Sequence, residues 1–91
     1  MPDLTNHVIL ITGANRGQGK GIAKHLATLG AKVAVGARNV EDAEQVVKEI
    51  GENHAMPLKL DVTQEKDWEL AVQSIVTKYN RLDVLINNAG V

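Results

Sequence analysis

Apolar positions along the chain alternate between two periods. Residues 7–12, HVILIT, form a short unbroken β-branched run, the pattern of a strand covered on both faces. Residues 18–29 then place Ile22, Ala23, Leu26 and Ala27 at helical spacing, and Gly30 stands where a helix end favours a residue tolerant of positive φ. KVAVGA at 32–37 is a second strand. It leads to a helix over 40–51 with Ala43, Val46, Val47 and Ile50 on one face and Gly51 at its end. MPLKLDV at 56–62 reads as a weaker strand, because Pro57 suits only a first position or an edge. Thr63 is the expected N-cap of the next helix, although Lys66 stands where a capping box prefers Glu. That helix, 64–79, sets Trp68, Ala71, Val72, Ile75, Val76 and Tyr79 along one stripe, and DVLINN at 83–88 is a fourth strand.

The order β-α-β-α-β-α-β with short connections predicts an α/β fold with a doubly wound parallel sheet and right-handed crossovers. The 91 residues suit one domain, with a core that buries only about 60–65% of the unfolded surface. An apolar fraction of 44% against 23% charged residues excludes a disordered chain. The net charge of −1, with mixed signs along the chain, argues against a nucleic-acid or membrane-binding surface. With no cysteine there is no thiolate nucleophile or disulfide, and His7, His25 and His54 fall in three different elements, so no metal site is expected. MPDLTNH is polar, and VILI falls far short of the roughly 20 apolar residues of a membrane span, so a soluble cytoplasmic protein is expected. Glu41, Asp42, Glu44, Glu49 and Glu52 read as a solvated helix face with an acid-rich first turn.

The candidate chemistry lies in TGANRGQG, residues 12–19, where three glycines stand between a strand and a helix. The first amides of a helix lack intrahelical partners and sit at the positive end of its dipole, so an anion placed there collects several N–H bonds. Side chains at Gly13, Gly17 and Gly19 would obstruct that approach, although a purely structural tight turn also accounts for them. ANRGQGKG at 14–21 misses the phosphate-binding GxxxxGK[ST] pattern at both ends, with Ala14 for the first glycine and Gly21 for the Ser or Thr. The spacing also departs from GxGxxG.

TGANRGQG resembles the TGxxxGxG loop of the short-chain dehydrogenase/reductase family. NNAG at 87–90 resembles that family's second hallmark, and LDV at 60–62 is similar to the segment that meets the adenine. The resemblance covers essentially the whole chain and implies the first part of a Rossmann-like fold, an NAD(P)-binding domain over residues 1–91. It implies that Gly13, Gly17 and Gly19 shape a pyrophosphate turn and that Asn15 and Arg16 lie beside the adenosine ribose. Gln18 stands in that turn where the family most often has Ile or Leu, a backbone-led contact expected to survive the change. Asp61 would accept from the adenine amino group, Val62 would offer its backbone, and Asn88, Ala89 and Gly90 would pass along the ribose side. Asn87 and Thr12 are expected instead to tie neighbouring strand ends together.

The end of the second strand bears on the choice of dinucleotide. A carboxylate there accepts from the ribose diol of NAD and repels the 2′-phosphate of NADP. The position of that acid falls at Ala37, followed by Arg38 and Asn39, and Arg16 lies in the first loop. Guanidinium groups match phosphate oxygens, so NADP(H) is expected over NAD(H), with a solvated surface role the competing reading of both arginines.

The family's hydride chemistry uses a Ser, a Tyr-x-x-x-Lys pair and a further Asn, all beyond the NNAG strand. Here Tyr79 is followed by Asn80, Arg81, Leu82 and Asp83, and Ser74 stands alone on a helix, so no catalytic residue is assigned. The expectation is the cofactor-binding part of an NADP-dependent oxidoreductase acting on a small carbonyl or alcohol, compatible with a homo-oligomer of the complete protein. The alternative is a stand-alone dinucleotide-binding module without turnover.

Overall fold

The computed structural model describes residues 3–88, and among them seven elements follow one another. They are β1 (Val8–Thr12), α1 (Gly17–Thr28), β2 (Lys32–Ala37), α2 (Val40–Ile50), β3 (Ala55–Lys59), α3 (Glu65–Tyr79) and β4 (Val84–Asn87). The strands are all parallel in the order β3-β2-β1-β4, with Leu10 of β1 level with Ala34 on one side and Leu85 on the other. The chain thus steps outward from β1 to β3 and crosses back to the far side of β1 for β4. That reversal is the switch point at which open α/β sheets form a crevice at their carboxyl ends.

All of β1 is buried, as its unbroken apolar run requires. Its side chains alternate between two cores. Ile9 and Ile11 pack with Val33, Val35, Ala23, Ala43 and Val46 beneath α1 and α2. Val8 and Leu10 pack with Ala34, Met56, Leu58, Ala71 and Ile75 beneath α3. Lys20 and Lys24 both reach Glu49, at 3.0 and 2.7 Å, and so bridge α1 to α2. These are exposed pairs that add little stability.

Two features differ from the periodic reading. Gln64, not Thr63, is the N-cap of α3, because the Asp61 carboxylate accepts from both the N–H and the hydroxyl of Thr63 in a turn before the helix. The stripe on α3 is also narrower. Ala71 and Ile75 are buried, Trp68 and Tyr79 pack partly against the same core, and Val72 and Val76 are 39% and 44% exposed. Pro57 lies in the interior of β3, which is an edge strand and so tolerates the missing N–H. β4 is the other edge, with Val84 and Leu85 exposed.

At the amino end of β4, Asp83 clamps this edge to the centre. Its Oδ2 accepts from Val8 N–H at 2.8 Å, its N–H donates to Val8 O at 2.9 Å, and its Oδ1 accepts from Arg81 Nη2 at 2.6 Å. The Arg81 hydrogen bond, followed by the Val8 amide, holds the Asp83 carboxyl below the usual aspartate range.

Burial on α3 sets a first expectation. Ile75→Ala should lower the unfolding free energy by about 2–4 kcal/mol, and Val76→Ala by less than about 0.5 kcal/mol, read from urea unfolding. Similar losses at both positions would mean that α3 presents a different face to the sheet. Asp83 sets a second. A carboxyl whose pKa is lower folded than unfolded stabilises the fold at higher pH and loses that contribution as pH falls through the folded value. The thermal midpoint should therefore drop as pH falls below about 4, and drop less in Asp83→Asn.

Candidate functional site

The turns that follow β1, β2 and β3 meet the end of β4 and Asn88 at the carboxyl edge of the sheet, where backbone and side-chain bonds tie them together. Ala14 N–H donates to Gly36 O at 3.2 Å, and Leu60 N–H to Ala37 O at 2.7 Å. Thr12, fully buried, donates through Oγ1 to Asn87 Oδ1 at 2.8 Å, the strand-end tie expected of this pair. Asn88 Nδ2 donates to Gly13 O at 3.3 Å.

Between these turns lies a cleft of about 630 Å³. Its walls are Gly13, Asn15, Arg16 and Gly17 from the first turn, Ala37, Arg38 and Asn39 from the second, Leu60 and Val62 from the third, Asn88 after β4, and Asp42 from α2. Nine of the residues singled out in the sequence are thus brought together. Gln18 is exposed outside the cleft, Gly19 lies buried beneath it, and Asp61 does not line it. Ala89 and Gly90 lie outside the described residues.

The glycines have separate reasons. Gly13 and Gly17 adopt φ of 62° and 58°, where side chains are strained. Gly19 is needed for closeness, because a Cβ there would stand 2.6 Å from Gly13 O and press on the Asn88 amide. The result is an α1 N-terminus lying against the end of β1. No side chain caps it and no acid occupies its first turn. The α2 N-terminus is different, for Asn39 Oδ1 accepts from Glu41 N–H at 2.9 Å, so this side chain serves the helix.

Asp61 lies between Leu60 and Val62 of the cleft wall without lining the cleft itself. Its Oδ1 accepts from Thr63 Oγ1 at 2.6 Å and from Thr63 N–H at 3.0 Å, and its own N–H donates to Asp67 Oδ2 at 2.9 Å. The Thr63 hydroxyl, then the Thr63 amide, lowers the Asp61 pKa, and the Arg38 charge acts in the same direction. Trp68 Nε1–H donates to Val62 O at 2.9 Å, which holds that segment against α3.

Asp42 and Leu60 line the cleft without having been singled out as site residues. Helical periodicity assigns Asp42 to a solvated face, and Leu60, although part of the LDV segment, is a buried apolar residue to which no role of its own was assigned. No Ser, Tyr or Lys lines the cleft among the described residues. Tyr79 packs in the α3-side core, where burial raises its pKa and its hydroxyl has no partner among the described residues, and Ser74 is exposed. Among the described residues no cluster of His, Asp and Glu could hold a metal, and no helix is long and apolar enough to cross a membrane.

The family model for short chain dehydrogenases matches residues 7–91. The chain belongs to this family. It is 40% identical over 97% of its length to an uncharacterized oxidoreductase of Listeria monocytogenes, covering 36% of that protein. It is 41% identical over 97% of its length to retinol dehydrogenase 11 of Homo sapiens, covering 29% of it. Among solved structures, the 3-ketoacyl-(acyl-carrier-protein) reductase of Brucella melitensis, complexed with NADH, superposes with a TM-score of 0.93 at 42% identity. That match covers 98% of this chain and 36% of the reductase. The chain thus spans about a third of the length of these relatives. It has the Rossmann-like nucleotide-binding fold of a family of oxidoreductases.

The close approach at the first turn of α1 sets the next expectation. Gly19→Ala should cost about 1–3 kcal/mol, because the obstruction includes backbone. Gly21→Ala, with nothing within 4 Å of the new Cβ, should instead gain about 0.5–1 kcal/mol from helix propensity. Both are read from urea unfolding, and equal effects would mean that α1 stands off from β1.

Proposed function

We propose that the cleft binds the adenosine–pyrophosphate part of NADP(H), and that the chain is the cofactor-binding portion of an oxidoreductase transferring hydride between NADP(H) and a carbonyl or alcohol. The observation that carries this reading is that Arg16 and Arg38 line one cleft with the uncapped, acid-free N-terminus of α1, while Ala37 stands where an acid would serve NAD.

Gly13, Gly17 and Gly19 leave room for the pyrophosphate, whose oxygens accept from amides of the first turn of α1. Gln18 takes part through its backbone, and Asn15 lies beside the ribose. Arg16 and Arg38 donate to the 2′-phosphate, with Ala37 and Asn39 completing that wall. Asp61 turns its Oδ2, which carries no hydrogen bond among the described residues, to the adenine amino group, and Val62 lies along the base. Asn88, with Ala89 and Gly90 by resemblance, borders the second ribose. The bound dinucleotide supplies or takes the hydride, and groups outside this chain's described residues move the proton. This reading makes the protein a soluble cytoplasmic enzyme.

NADH in the Brucella reductase supports dinucleotide binding in general. The preference for NADP rests on this chain's own two arginines. A second reading, a binding module without turnover, is favoured by the lack of any Ser, Tyr or Lys in the cleft wall among the described residues.

Calorimetric titration tests the cofactor assignment. The chain should bind NADPH more tightly than NADH, and Arg38→Asp should lower that ratio by about tenfold to a hundredfold, the scale of lost hydrogen bonds to a charged group. A ratio unchanged in Arg38→Asp would sink the assignment.

A further inference from the structure

The acids of the α2 segment look alike in sequence, but the fold treats one of them differently. Of Glu41, Asp42, Glu44, Glu49 and Glu52, Asp42 lines the cleft with Arg16 and Arg38. Its N–H donates to Asn39 O at 3.1 Å, which sets it in the first turn of α2. Among the described residues no ion pair joins it to either arginine. The two helix N-termini at the cleft are thus unlike, for α1 has no acid in its first turn and α2 has Glu41 and Asp42 in its own.

We infer that Asp42 is a specificity-determining residue that moderates the preference for NADP. Resting on the dinucleotide reading above, the inference follows from the place of Asp42 in the cleft wall with the two arginines. Like charge in a shared cleft repels the 2′-phosphate that Arg16 and Arg38 attract. The positive end of α2 is already partly neutralised by its own carboxylates, so it helps an incoming phosphate less. A carboxylate also accepts from the 2′-hydroxyl of an unphosphorylated ribose, so the same residue that weakens NADP binding supports NAD binding. Ala37 removes the acid from the end of β2, and Asp42 returns one to the same cleft from the following helix.

Titration of Asp42→Asn with NADPH and NADH tests this. The NADPH-to-NADH affinity ratio should rise by about threefold to tenfold in low salt, the scale of exposed charges, and rise less in high salt. Glu41→Gln, which removes an acid of the same turn outside the cleft wall, should leave the ratio within about twofold. An unchanged ratio in Asp42→Asn, or an equal rise in Glu41→Gln, overturns the inference. If the chain prefers NADH and Asp42→Asn shifts it toward NADPH, the inference stands and the NADP preference proposed above fails. If neither dinucleotide binds, both fail.

Discussion

The approach of α1 to the end of β1 is the contact on which the cleft depends. Gly19 has no side chain to hold the helix away, so the first turn of α1 lies against the Gly13 carbonyl and the Asn88 amide. Asn88 in turn donates to Gly13 O, and Thr12 and Asn87 bond side chain to side chain one step below. A bulkier residue at one position would therefore disturb both the turn after β1 and Asn88 at the end of β4. Register matters for the same reason. Both faces of β1 are apolar, so a slip along the strand would meet little penalty from the hydrophobic pattern. Directional bonds at the two ends, Asp83 to Val8 and Thr12 to Asn87, hold β4 in place against β1.

Charge at the site is a local arrangement laid over a nearly neutral chain. Arg16 and Arg38 line the cleft with Asp42, and Asp61 lies outside the lining within the field of Arg38. These groups are near solvent, where screening limits each pair to modest energies. On the reading proposed above, selectivity between two similar anions would depend on the sum of a few such terms.

Much of the fold was legible because the two hydrophobic periods are clean. HVILIT and KVAVGA could be little other than buried strands, and Ala43, Val46 and Val47 point one face of α2 inward as their spacing requires. The glycine turn was legible because a backbone that must adopt positive φ and admit a neighbour closely leaves few residue choices. The misreadings have equally definite causes. Thr63 is a good cap in isolation, but Asp61 captures its amide and hydroxyl first. Val72 and Val76 fit the stripe of α3, but Ala71 and Ile75 meet the sheet and β4, an edge strand, offers no further cover.

By itself, then, the sequence determined the order of strands and helices, the place of the glycine turn, and the absence of a carboxylate at the end of β2, since each follows from local conformational or charge requirements. The tertiary structure decided which polar residues share a cleft. Asp42 and Arg38 are near in the chain, but the fold places both in one cleft wall with Arg16, more than twenty positions away. Leu60 lines the cleft and Asp61 does not, although they are neighbours, because successive residues leaving a strand face opposite sides. Those placements come from the packing of helices on a twisted sheet, which no local pattern encodes.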